Sequence, residues 1–136
     1  MTKKYLLDTC ACILMFRNEG AVRDTLRKVG VKNCYISEIT IAELFFGLAK
    51  STDKKRKMED IRLVQKLFRV IPAYSSYKEY GEIRCALEHS GQRIDQFDLL
   101  IGATAIHHDM TLVTSNTKHF IRIQGLKIED WRTEAK

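Results

Sequence analysis

Short apolar runs that read as buried strands alternate along this chain with longer segments of helical periodicity. That alternation is the strongest constraint on its fold. Tyr5-Leu6-Leu7 is the first such strand, Asn33 to Ile36 the second, and Val70-Ile71 a short strand or edge segment. Thr111 to Thr114 and Leu126 to Ile128 follow. Between them Thr9 to Phe16, Ala21 to Val29, Ile41 to Ala49, Asp53 to Phe68, Tyr77 to His89 and Asp98 to His108 read as helices. Strands interleaved with helices in this way argue for an α/β fold with a mainly parallel sheet. Active sites in such sheets lie beyond the carboxyl ends of the strands. Asp8 and Asn116 stand at such positions, each just after a strand.

With 136 residues, the chain fits one domain, residues 1–136. A chain of this size buries roughly two-thirds of its unfolded surface, enough for a core without staples. Neither Cys10, Cys12, Cys34 nor Cys85 has the spacing of a zinc site or a secreted disulfide framework, so all four are expected as free, mostly buried thiols. The apolar run near the start is too short for a signal peptide, and no stretch approaches a membrane span, which makes the cytoplasm the expected compartment. The net charge of +6 suits a partner rich in phosphate but is common in ordinary proteins too.

Three acids sit in strongly apolar surroundings. Asp8 ends the first strand, where a carboxylate is costly to bury unless it is paired; its ordinary role there is to cap the helix from Thr9. Glu43 lies among Ile41, Ala42, Leu44 and Phe45, and Thr40-Ile41-Ala42-Glu43 also matches a capping box. Asp98 precedes Leu99-Leu100-Ile101, where the helix dipole favours an acid; Asp95 lies three residues earlier, in a supporting position. Each structural role is reasonable alone. Together, three acids from separate apolar segments suggest carboxylates that converge on a cation, and Mg²⁺, a hard ion that takes oxygen ligands, suits them. Such an ion activates water and polarises a phosphoryl oxygen. No glycine-flanked serine, P-loop or dinucleotide fingerprint offers another chemistry.

The same residues resemble a known family. Leu6-Leu7-Asp8-Thr9 resembles the opening strand of PIN domains, particularly the VapC-type toxins of bacterial toxin–antitoxin pairs. Ile36 to Leu44, Phe97 to Ala103 and Leu112 to Phe120 resemble the later blocks in order and spacing, and Ile123 to Trp131 resembles the usual ending. The resemblance implies a PIN-domain-like three-layer α/β/α sandwich. It also implies an endoribonuclease using Mg²⁺ or Mn²⁺, with Asp8, Glu43 and Asp98 at the metal. The further implications are an RNA substrate, a cognate antitoxin that fills the active site, and a homodimer. One departure stands out: many PIN domains carry a fourth aspartate where this chain has Asn116, so the resemblance assigns Asn116 the orientation of water or substrate. Two rival readings are a non-catalytic RNA- or protein-binding PIN domain and a structure-specific DNA nuclease.

Other residues carry weaker signals. Thr114 and Ser115 are candidate hydroxyl partners for the site or simple turn residues. His107 and His108 read as structural, while His119 lies near the fourth block. Lys54 to Lys57 read as a solvated helix entry, with a phosphate or antitoxin contact as the alternative, and Arg84 and Arg93 as speculative phosphate contacts. Phe45, Phe46 and Leu48 read as core, with an antitoxin groove or dimer contact as the alternative for some of them.

Overall fold

The computed structural model describes residues 2–133 and contains one five-stranded sheet, every neighbouring pair of strands parallel. The strands are β1 (Tyr5–Leu7), β2 (Cys34–Ser37), β3 (Arg69–Ile71), β4 (Thr111–Val113) and β5 (Ile128–Glu129), in spatial order β3-β2-β1-β4-β5. Seven α-helices connect or follow them among the described residues: α1 (Thr9–Arg17), α2 (Val22–Val29), α3 (Glu38–Lys50), α4 (Lys54–Leu67), α5 (Tyr77–His89), α6 (Gln96–His107) and the short α7 (Thr117–Phe120). All of the strands and long helices read from the sequence are present, with ends shifted by at most three residues. The exception is α7, one turn of helix too short to show a period.

The period of two in each strand sends alternate side chains to opposite faces. Tyr5, Leu7, Cys34, Ile36 and Val113 enter a core with Met15, Leu26, Leu44, Ile61 and Val64 from the first four helices. Leu6 and Leu112 enter the other, with Leu87, Ile101 and Ala105 from α5 and α6. Sheet between two helical layers gives the α/β/α sandwich. Trp131 closes the first core, 1% exposed, its ring centroid 5.2 Å from that of Tyr5. No helix among the described residues is long and apolar enough to cross a membrane.

Local capping sets the helix starts. Asp8 caps α1, its Oδ1 accepting from the Ala11 amide at 2.8 Å. Ser37, Asp53 and Asp95 do the same for α3, α4 and α6. The Ser37 cap corrects the capping box read at Thr40 and Glu43. Because α3 begins at Glu38 with Ser37 as its cap, Thr40 stands at the third helical position and not at the cap, and Glu43 Oε1 accepts from Thr9 Oγ1 instead. A second correction concerns α3 itself. Only Thr40 and Leu44 are buried in it, while Phe45 is 41% and Phe46 67% exposed, so the helix is not the buried element its composition suggests. Leu48 does pack against the first core. The four cysteines are free, but only Cys12 and Cys34 are buried.

Candidate active site

The sheet order turns at β1. From it the chain crosses to β2 and β3 on one side, then returns to place β4 and β5 on the other. Loops that diverge at such a turn leave a crevice at the carboxyl ends of the strands. Asp8 leaves β1 there, its amide donating to the Val113 carbonyl at 3.0 Å, and Thr114 to Asn116 leave β4 beside it. Glu43 comes in on the second turn of α3, Asp98 on the first turn of α6. Four separate elements therefore deliver the four residues named from the sequence.

A cleft of about 890 Å³ has Glu43, Asp95, Asp98 and Asn116 in its walls. Asp8 does not line the cleft: it is 3% exposed, and close enough to Asp98 and Glu43 for their charges to act on it. Burial pushes the Asp8 carboxyl up to about 6; the charges of Asp98 and Glu43 add to this, against the Thr114 hydroxyl and the Ala11 amide. Burial also pushes Asp98 up to about 6, followed by repulsion from Asp95 and Glu43, with His119 acting in the opposite direction. Both acids are displaced the same way, by burial first and by neighbouring carboxylates second. The carboxylate oxygens of Asp8, Glu43 and Asp98 are the hard donors that a divalent ion such as Mg²⁺ takes. Among the described residues no group of three or more histidine, cysteine, aspartate or glutamate side chains is placed to hold a metal ion. Mg²⁺, which keeps several waters and takes one or two carboxylates directly, does not require one.

Supporting contacts fix the acids. Thr9 Oγ1 donates to Glu43 Oε1 at 2.5 Å and lies 3.3 Å from Thr40 Oγ1, so the first turn of α1 holds the glutamate of α3. Sequence reasoning assigned Thr9 no role, although its place beside Asp8 is a signal: a hydroxyl on the first turn of a helix starting at the site. Asp95 caps α6 through bonds to the Phe97 and Asp98 amides and also lines the cleft, which is the supporting position expected of it. Asn116 Nδ2 donates to His119 Nδ1 at 2.9 Å, so His119 is tied to the site's edge. Thr114 Oγ1 accepts from the Asn116 amide at 2.9 Å, a turn-forming bond, and its hydroxyl also faces Asp8. Cys10 lines the cleft as well; burial and then the nearby Asp8 push its thiol up to about 11.

Other candidates fall away from the acids. Arg84 bonds to Tyr80, Gln96 and Glu88, and with Arg93 it lines a separate cavity of about 170 Å³. His107 pairs with Glu79 at 3.0 Å, a structural contact between α6 and α5. Of the run Lys54 to Lys57, Lys57 alone reaches the cleft wall, while Lys54 closes the end of α3 through bonds to the carbonyls of Leu48, Ala49 and Ser51.

Comparison with known proteins agrees with this geometry. The PIN domain profile matches residues 5–126, and the chain belongs to the PIN-domain family. Within that family its relatives are VapC ribonucleases. It is 34% identical over 130 residues to Ribonuclease VapC2 of Rickettsia felis, across 93% of this chain and 97% of that protein. It is 33% identical over 130 residues to the tRNA(fMet)-specific endonuclease VapC of Shigella flexneri, across 94% and 98%. The fold superposes on VapBC2 from Rickettsia felis, solved with a DNA fragment from its promoter, with a TM-score of 0.86 at 34% identity, covering 93% of this chain and 98% of that one. DNA-bound VapBC from Salmonella typhimurium gives 0.88 at 29% identity, covering 95% and 98%.

Proposed function

We propose that this chain is a Mg²⁺-dependent endoribonuclease, with Mn²⁺ as an alternative ion, and that it is the toxin of a toxin–antitoxin pair. The observation that carries the reading is that Glu43 and Asp98, from two helices, line one cleft and that the buried Asp8 lies close enough to feel the charge of both, with the Asp8 and Asp98 carboxyls pushed up to about 6. Family membership adds the ribonuclease class.

The reaction is hydrolysis of an RNA phosphodiester. A water oxygen forms a bond to phosphorus in line with the departing 3′ oxygen, the P–O3′ bond breaks, and the products are a 5′-phosphate and a 3′-hydroxyl. The ion, held by Asp8, Glu43 and Asp98 directly or through water, would offset charge on the phosphate and make water acidic enough to attack. The protein's own part is positional. The Ala11 amide holds Asp8 through Oδ1, and Thr9 fixes Glu43. Asn116, uncharged and tied to His119, offers its amide oxygen to water or substrate without adding to the repulsion among the acids.

The VapBC complexes among its structural relatives support an antitoxin as partner for this chain; in the proposed reading part of that partner fills the cleft. A homodimer in the cytoplasm completes the reading. The test is cleavage of a mixed RNA pool, with tRNA as a separate substrate because the Shigella relative is named for it. Purified protein is compared in Mg²⁺ and in EDTA, beside Asp8→Asn and Asp98→Asn prepared identically. Metal-dependent cleavage lost in both variants is expected. Equal behaviour of wild type and variants, on the pool and on individual tRNAs, overturns the reading.

A further inference from the structure

Two helix faces run outward from the acids like the walls of a channel. On α1, Thr9, Ile13 and Arg17 follow one another at four-residue spacing and so share a face; all three line the cleft. On α3, Glu43, Phe46, Gly47 and Lys50 fall at i, i+3, i+4 and i+7, again one face, and they too line it. The walls are joined at their inner end by the Thr9–Glu43 hydrogen bond, and each ends outward in a cation. A second cavity of about 310 Å³ continues past Ile13 and Arg17 to Arg56 and Lys57 at the start of α4.

We propose that this channel holds single-stranded RNA on one side of the scissile phosphate, an inference that rests on the ribonuclease reading above. Charge selects the occupant. Arg17, Lys50, Arg56 and Lys57 form no ion pair among the described residues, although acids are available: Asp53 caps α4, and Asp60 lines the outer cavity. Unpaired cations beside an acidic site suit a chain of phosphates that must cross from one to the other. Phe46 supplies the second element. Its ring is 67% exposed and carries Lys50 Nζ at 4.7 Å from its centroid, a stacking face for a base next to a phosphate-binding cation. Gly47 has nothing within 4 Å of where a side chain would begin, so the wall beside the ring stays open. From Glu43 to Lys50 the helix rises about 10 Å, a span of roughly three stacked nucleotides at 3.4 Å each.

The experiment measures binding of a fluorescein-labelled 12-nucleotide single-stranded RNA to the full chain carrying Asp98→Asn, in EDTA, across a salt series. Arg17→Gln and Lys50→Gln are each expected to reduce the slope of log K against log[salt] by about 0.7. Phe46→Ala is expected to weaken binding roughly 5- to 100-fold with little change in slope. Lys28→Gln, an exposed cation on α2 away from the channel, is the control and should change neither quantity beyond its error. These are surface positions, and melting curves of each variant verify the fold. Slopes unchanged in both cation variants, with Phe46→Ala binding as tightly as its parent, overturn the proposal and leave the channel to a protein partner. Equal losses in Lys28→Gln and the channel variants overturn it as well, because the binding is then diffuse. The two readings fail separately. RNA bound in the channel by a protein that cuts nothing sinks the nuclease alone, whereas cleavage untouched by channel variants sinks the channel alone.

Discussion

α3 and α6 read alike in sequence and end up in opposite surroundings. Glu38–Lys50 and Gln96–His107 are both rich in apolar residues, and each brings one acid to the site. Yet α6 buries Leu99, Ile101, Gly102, Ala103, Thr104 and Ala105, while α3 buries Thr40 and Leu44 and shows two phenylalanines to solvent. Cover explains the difference. One side of α6 lies on the sheet and another meets α5, and Ile123, Phe120 and Leu126 close over Gly102. α3 packs against α1, α4, α6 and β2, yet Phe45 and Phe46 stay exposed among the described residues. A helix apolar on every side either is enclosed or keeps a face for something else. Here one helix does each, and the acid on each points into the same cleft.

The comparison can be pressed hardest at the acids. Glu43→Gln on α3 and Asp98→Asn on α6 should each lower RNA cleavage on the order of 100-fold or more, with the melting temperature of either variant not below wild type. Activity retained in one of them would show that the two helices do not contribute alike.

Truncation in the two apolar surfaces should separate them next. Ile101→Ala, at a fully buried site, is expected to destabilise the protein by about 2–5 kcal/mol, and Phe46→Ala by less than about 0.5 kcal/mol. Urea melts of both variants check this, and a loss above about 1 kcal/mol at Phe46 would mean that α3 is covered in solution.

Asp8, which lies between the helices, gives a pH dependence. Its folded carboxyl titrates at about 6, above the ordinary 3.8, so the native state binds the proton more tightly than the unfolded chain. Stability of the metal-free protein therefore falls as pH rises through the window from about 4 to about 6, with the destabilisation complete above it. Asp98 shifts in the same direction; Glu43 and Asp95 line the cleft with it, and His119 acts on it from nearby. Asp8→Asn keeps a capping side chain and removes the charge. In EDTA its stability relative to wild type should be near parity at pH 4 and about 2 kcal/mol higher at pH 7. A difference that does not change with pH would contradict the burial of an ionised Asp8.

The last contrast is at glycine, and its smaller member, Gly47→Ala, is a gain. A Cβ at Gly102 would meet Ile123 Cδ1 at 2.9 Å, whereas one at Gly47 meets nothing within 4 Å. Gly102→Val should destabilise α6 by about 1–3 kcal/mol through overpacking, and Gly47→Ala should stabilise α3 by about 0.5–1 kcal/mol through helix propensity. Thermal melts with both signs reversed would undo the contrast between the two helices.

Strands, helices and caps were legible in the sequence because each is a local matter. Three apolar residues before Asp8, a period of 3.6 from Tyr77 to His89, and the cap that Asp8 offers α1 depend on neighbours a few residues away. The acids stood out for the same reason, since a charge within an apolar run is visible without knowing what lies across from it. Contact between distant segments had no such signature. The capping box at Thr40 to Glu43 was a sound local match, but the helix had already begun at Ser37, and Glu43 is held by Thr9, 34 residues away. Phe45 and Phe46 read as core because their side chains are apolar, and only the packing of α1 and α4 against one side of α3 left them exposed. Composition determined which residues this chain can bury and which carry charge. Burial itself belongs to pairs of surfaces, so the tertiary structure alone decided which of them meet, and hence where the cleft opens.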